Sequence, residues 1–185
     1  MASQVEIINV ALTRLGAQTI SSLEDGIPEA NAANALWSTA RQSSLRDHPW
    51  NFATAEATLS AVVGGETYRY KYAYQIPSDS LRVLEVFDND DFKQAGKLIL
   101  TDAGTCVIKY IKDVEDTYAW DALFTDVMAQ RLSAEMAYTL TKNQSTADTQ
   151  FTLYGQKLQK ARFVDATEET QDPFGDVGFI LKARF

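Results

Sequence analysis

The hydrophobic period of this chain changes twice, from about 3.6 residues to 2 and back, so its two ends and its middle need different elements to bury their apolar side chains. The first stretch, SQVEIINVALTRLG, sets Ser3 and Glu6 at the spacing of a capping box. It brings Val5, Ile8, Leu12 and Leu15 onto one helical face, with Gly16 as the stop. The second, PEANAANALWSTARQSSLRDHP, opens with Pro28 at a favoured first-turn position and lines up Ala33, Trp37 and Ala40. Its alanines let another helix approach closely. Pro49 ends it, because the residue before a proline is pushed out of helical geometry.

In the middle, YRYKYAYQIP alternates strictly and places Tyr68, Tyr70, Tyr72, Tyr74 and Ile76 on one side of a strand. LRVLEVF, GKLILTD and TCVIKYI follow, separated by DNDD and DAGT, which are turn chemistry. Helical period then returns. WDALFTDVMAQRLSAEMAYTLTKN gives Trp120, Leu123, Val127, Met128, Ala134 and Tyr138 a broad apolar face. STADTQFTLYGQKLQKARFVDATEE starts with Ser145 and Asp148 at capping-box spacing and aligns Phe151, Tyr154, Leu158 and Ala161. The expected class is α+β: a bundle of about four helices from residues 1–56 and 116–172, an antiparallel β insert over 57–115, and an extended tail from 173 to 185.

The opening residues do not read as a signal peptide, since a basic start is missing and Glu6, Asn9 and Arg14 interrupt the apolar run. No run approaches the ~18 apolar residues of a membrane-spanning helix. A net charge of −8 argues against tight nucleic-acid binding, which draws on Lys and Arg at phosphates. Cys106 is the only cysteine, so no internal disulfide forms, and its place in a strand-like run suits a small buried residue.

Candidate chemistry centres on RDHPWNFA, which holds the chain's single histidine. A nucleophilic triad needs a base, an orienting acid and a nucleophile together in space. Asp47 neighbours His48, but adjacent helical residues point apart, and no G-x-S-x-G motif is present. The motif His48, Pro49, Trp50, Asn51 and Phe52 therefore reads as a joint that pins a helix end, with Trp50 and Phe52 as anchors. One His and one Cys do not make a zinc site, and DNDD lacks the central glycine and terminal glutamate of a calcium loop. No phosphate loop follows Gly64-Gly65, and no cofactor is expected. Glu24, Asp25, Glu29, Glu115 and Asp116 are available for two-carboxylate glycoside hydrolysis, without any sign that one pair is set apart. The tyrosine run, with Arg69 and Lys71 on the opposite side, reads as a packed sheet face rather than a base-stacking platform.

The periodic pattern fails after Asp172. PFGDVGFILKARF contains six large apolar residues, Phe174, Val177, Phe179, Ile180, Leu181 and Phe185. Burying each is worth ~1.5–3 kcal/mol, but ordering each residue of the segment costs ~1–2 kcal/mol in backbone entropy alone. The segment is not expected to order without a ready-made surface to receive it, and a loose apolar tail invites aggregation unless one is supplied.

ALTRLGAQTISSLEDG, PEANAANALWSTARQSSLRDHPWNFATAEATL, YAYQIPSDSLRVLEV, WDALFTDVMAQRLSAEMAYTLT and KARFVDATEE together resemble the tail tubular protein A family, the head-to-tail adaptors of short-tailed bacteriophages. The resemblance covers nearly the whole chain. Its most specific parts are Arg14-Leu15-Gly16, Ile20 to Leu23, His48 to Ala53, and Tyr74, Ile76, Pro77 and Asp79. It implies a non-enzymatic virion component, made in the host cytoplasm, that assembles as a twelvefold ring beneath the portal protein, receives the tail nozzle protein and surrounds the exiting DNA without binding it specifically. A monomer in solution is compatible with a ring that forms only on the portal. By the same resemblance, the portal grip falls to the tail residues Phe174, Val177, Phe179, Ile180, Leu181, Lys182, Arg184 and Phe185. The readings from other classes are a phage cell-wall glycosidase using paired carboxylates and a secreted binding module built on the β insert.

Overall fold

The computed structural model describes residues 2–64, 69–87 and 91–168. Four helices carry the ends of the described chain: α1 (Gln4–Leu15), α2 (Pro28–Arg46), α3 (Ala122–Thr141) and α4 (Gln144–Glu168). Between them lie β1 (Thr54–Thr58), β2 (Tyr72–Gln75), β3 (Ser80–Phe87), β4 (Phe92–Ala95), β5 (Leu98–Thr101) and β6 (Val107–Lys112). The class is α+β. Among the described residues, no helix is long and apolar enough to cross a membrane.

Local chemistry explains the helix ends. Ser3 Oγ accepts from the Glu6 amide while the Glu6 carboxylate accepts from the Ser3 amide, a reciprocal cap at the start of α1. Gly16 ends α1 in the left-handed region at φ 66°, where a side chain is disfavoured. Pro28 opens α2, and Asp121 caps α3 by accepting from the amides of Leu123 and Phe124. The cap of α4 differs from the expectation. Asn143, not Ser145, accepts from the amides of Ser145 and Thr146, and Asp148 instead takes a hydrogen bond from Gln144. Asparagine is as good a cap as serine, and it stands where the tight α3–α4 turn delivers the chain.

Helix α3 is the central element, packing against α1, α2 and α4. The body core joins Ile7, Ile8, Leu12, Trp37, Trp50, Phe124, Met128, Leu132 and Met136 with Leu158 and Ala161 of α4. Two residues assigned to the apolar faces are on the outside: Tyr138 is 56% exposed and Phe151 is 50% exposed. Each sits at the flank of its helical stripe, where sequence spacing alone does not decide which side a neighbour covers.

The middle forms two three-stranded antiparallel sheets, ordered β1-β6-β3 and β2-β5-β4. The first begins at Thr54, within the stretch read as purely helical, because the chain turns into β1 directly after the tryptophan motif. Leu59, Tyr74, Ile76, Val86, Ile99, Cys106, Ile108 and Tyr110 make the insert's own core. The tyrosine run does not share one face. Only its last part is a strand; Tyr70 packs with Ala73 and Leu100, Tyr74 enters the insert core, and Tyr72 is 42% exposed. Alternation sets a common face only where every residue of the run is extended, and Tyr70 lies before β2. Tyr68 lies outside the described residues, as do most of DNDD and all of 169–185.

Candidate functional site

The RDHPWNFA stretch leaves α2 at Asp47 and enters a single 3-10 turn, Asn51–Ala53, before β1. All three tryptophans and two phenylalanines meet around it. Trp37 of α2 stacks on Trp120 with centroids 5.8 Å apart, and Trp120 meets Phe124 of α3 edge-on at 5.1 Å. Phe124 in turn contacts Trp50 at 5.1 Å and Phe52 at 5.0 Å, and the His48 ring stands edge-on to Trp50 at 4.8 Å. Trp50 is 1% exposed, and its indole N–H donates to the Ser44 carbonyl at 3.0 Å, so the one polar atom of the ring is satisfied.

A second layer of polar contacts ties the same stretch to the far end of α4. His48 Nε2 donates to Asp165 Oδ2 at 2.9 Å, a partner 117 residues further along the chain. Asp165 Oδ1 accepts from the Asn51 amide at 3.2 Å, and the Asp165 carbonyl accepts from Asn51 Nδ2 at 2.8 Å. Asp47 points elsewhere, as expected for the neighbour of His48. Its carboxylate accepts from the Tyr154 hydroxyl at 2.9 Å and lies 3.5 Å from Arg131, while its carbonyl accepts from Arg162 at 2.6 Å. Arg131 also donates to Ser43 Oγ and Glu135 and covers the Tyr154 ring at 5.2 Å. Burial pushes the Tyr154 hydroxyl above its ordinary range; the hydrogen bond from Arg131 opposes this, and Asp47 adds to it.

Two further charge clusters brace the body. Arg41 of α2 makes a bidentate pair with Asp113 at 2.9 Å and reaches Glu115 at 3.0 Å, joining α2 to the end of β6. Asp126 of α3 pairs with Arg14 of α1 and with Lys157 of α4, the latter at 2.6 Å. Burial acts to raise the Asp126 carboxyl, but the hydrogen bond from Lys157 and the two positive charges outweigh it and hold it below the usual range.

These contacts define a joint. The His48 ring is held between Asp165 and the Trp50 ring. Cys106 sits in the separate insert core, and burial pushes its thiol up, away from reactivity. Three of the carboxylates weighed for glycoside hydrolysis have local partners. Asp25 accepts from the amides of Ser21 and Ser22, Glu115 belongs to Arg41, and Asp116 caps the turn Thr117–Ala119. No group of three metal-ligating side chains forms among the described residues. The tail residues Phe174 to Phe185 lie outside the described residues.

Sequence reasoning picked out His48 and Trp50 but not Asp165, Arg131 or Asp113. One signal was available for Asp165. A carboxylate in the last turn of a helix faces the negative end of the helix dipole, so it needs a donor from elsewhere. No family model and no curated protein matches this chain.

Proposed function

We propose that this chain is a structural adaptor of a short-tailed phage virion, joining the portal to the tail nozzle as a ring around the DNA exit channel. The observation that carries this reading is the commitment of RDHPWNFA. Its His, Trp, Asn and Phe side chains all hold the end of α2 to α3 and α4, which suits a structural joint. That stretch is also the most specific part of the likeness to the tail tubular protein A family, which supplies the twelvefold ring and the two partners.

Two physical features support the reading. A net charge of −8 disfavours lodging of phosphate, so DNA slides past an acidic lining. The apolar tail, with Lys182 and Arg184, suits docking onto an acidic, grooved surface of the portal, where ordering and burial occur together.

The test is electron microscopy of the protein mixed with its portal. Rings capping the portal are expected, and deletion of 173–185 should abolish them while leaving the melting temperature nearly unchanged. Peptidoglycan turnover that vanishes on changing one Glu or Asp, or a portal that stays bare, would overturn the reading.

A further inference from the structure

Among the described residues each sheet of the insert ends on an open strand, β1 in one and β4 in the other. The Leu59 amide donates to the Cys106 carbonyl in line with the β1–β6 register. By antiparallel alternation Ala55 and Ala57 therefore bond to β6, and the N–H and C=O groups of Thr54, Glu56 and Thr58 point outward. The Val62 amide donates to the Ala73 carbonyl, which turns Leu100 and Leu98 toward Lys93 and Ala95 of β4. The outward groups of β4 are then those of Phe92 and Gln94. Side chains alternate with the same period: Ala55 and Ala57 pack on the insert core, whereas Glu56 and Thr58 are exposed on the outer face. Across that outer face runs a row of alternating charge, Glu85 of β3, Lys109 of β6 and Glu56 of β1, so the row ends on an acid at the open edge. All four residues of β4 are exposed, Lys93 among them. Open space of about 610 Å³, lined by Ala57, Thr58 and Leu59 on one side and Gln75, Ile76 and Pro77 on the other, adjoins the far end of β1.

We propose that β1 of one subunit receives β4 of a second copy as a parallel strand, with Lys93 beside Glu56. The chemistry fixes the orientation. In a parallel pair a residue bonds to the two that flank its neighbour, so the outward groups of Phe92 and Gln94 bracket Lys93 against Glu56. The charge row then continues acid, base, acid, base. Phe92, 41% exposed in the free subunit, falls beside Ala55 on the side that faces the insert core, and Gln94 falls beside Ala57. An antiparallel partner would instead set Lys93 on the apolar side and Phe92 in water. Like edges fit worse. Paired about a two-fold axis at best overlap, β1 against β1 sets Glu56 opposite Glu56, and β4 against β4 sets Lys93 opposite Lys93. Unlike edges make a head-to-tail contact, which repeats from copy to copy and closes where the rotation allows. The contact goes beyond the adaptor reading, because it needs no portal.

Cys106 is fully buried, so cysteines added at the seam report on it alone in the full-length protein. The register sets Thr58 beside Ala95 on the outer face, and both are exposed in the free subunit. Thr58→Cys protein mixed with Ala95→Cys protein in oxidised glutathione should form the disulfide between positions 58 and 95 about tenfold faster than either joins Ala35→Cys, a control on the exposed side of α2. Adding Glu56→Lys to the first variant should slow that capture about fivefold, and adding Lys93→Glu to the second should restore it. Capture at the control rate, or a loss that the second reversal leaves unrepaired, overturns the proposal. An excess of disulfides joining 58 to 58 or 95 to 95 overturns it too, by assigning the seam to like edges. Rings on the portal without capture between 58 and 95 would count against the edge pairing alone, and capture with a bare portal against the adaptor reading alone.

Discussion

The helical body and the β insert are held together by different kinds of contact. In the body, partners come from opposite ends of the described chain: Arg14 meets Asp126, His48 meets Asp165, and Asp47 meets Tyr154. In the insert, backbone pairing does this work: β4 and β5 pair across a short turn, whereas β2 crosses to β5 and β3 to β6, and as in the body some apolar side chains remain outside, including Tyr72 and Phe92 at 42% and 41% exposure. The longest crossing is that of β1 to β6, which carries the tryptophan joint into the sheet. The lesson is that the body is specified by a few long-range side-chain anchors, whereas the insert is specified by strand pairing, and is tied to the body at β1 and at Arg41.

The largest test of this contrast is Trp50→Ala. The ring is fully buried among Phe124, Phe52 and His48, so its loss should cost about 3–5 kcal/mol in denaturant unfolding. A surface-like effect would dissolve the distinction between joint and insert. Next comes Arg41→Met, which takes the bidentate guanidinium from the partly buried Asp113 carboxylate and leaves it the hydrogen bond from Gln42; it should cost about 2–3 kcal/mol. If the insert then melts apart from the body in calorimetry, the seam at Arg41 is what couples them. His48→Ala should cost less, about 1–2 kcal/mol, since Asp165 keeps its bonds to Asn51.

Acid titration probes the body in another way. The folded Asp126 carboxyl lies below its ordinary value of 3.8, so its contribution is complete above that pH and is lost as pH falls through the lower folded value. Asp126→Asn should therefore flatten the acid limb of the stability profile while changing its shape little above pH 5. The smallest effect belongs to the insert's outer face. Phe92→Thr should stay within about 0.5 kcal/mol of the parent, and a larger loss would show that β4 is covered after all.

Much of the secondary structure was legible before any tertiary information. The Ser3–Glu6 cap, the Gly16 stop, the buried Ala33–Trp37–Ala40 stripe and the strands within LRVLEVF, GKLILTD and TCVIKYI are present where the residues place them. The joint was half legible: His48 and Trp50 stand out in the sequence, but their packing partners Asp165, Ser44 and Phe124 do not. The corrections share a cause. Tyr138 and Phe151 lie at the edges of helical stripes, Tyr70 lies just before a strand, and Ser145 lies two residues past the asparagine that caps its helix. At each of these positions two neighbouring registers fit the local pattern equally well.

The sequence by itself determined the coarse order of two helices, a strand region and two helices, though not β1 or β4, because turn residues, caps and hydrophobic period act over only a few residues and are written in adjacent letters. The tertiary structure alone decided that the middle splits into two sheets, that Asp165 serves His48 and Asn51, and that Phe163 is left outside. Charged and aromatic groups choose partners by distance after packing, and a partner 117 residues away leaves no mark on the local pattern.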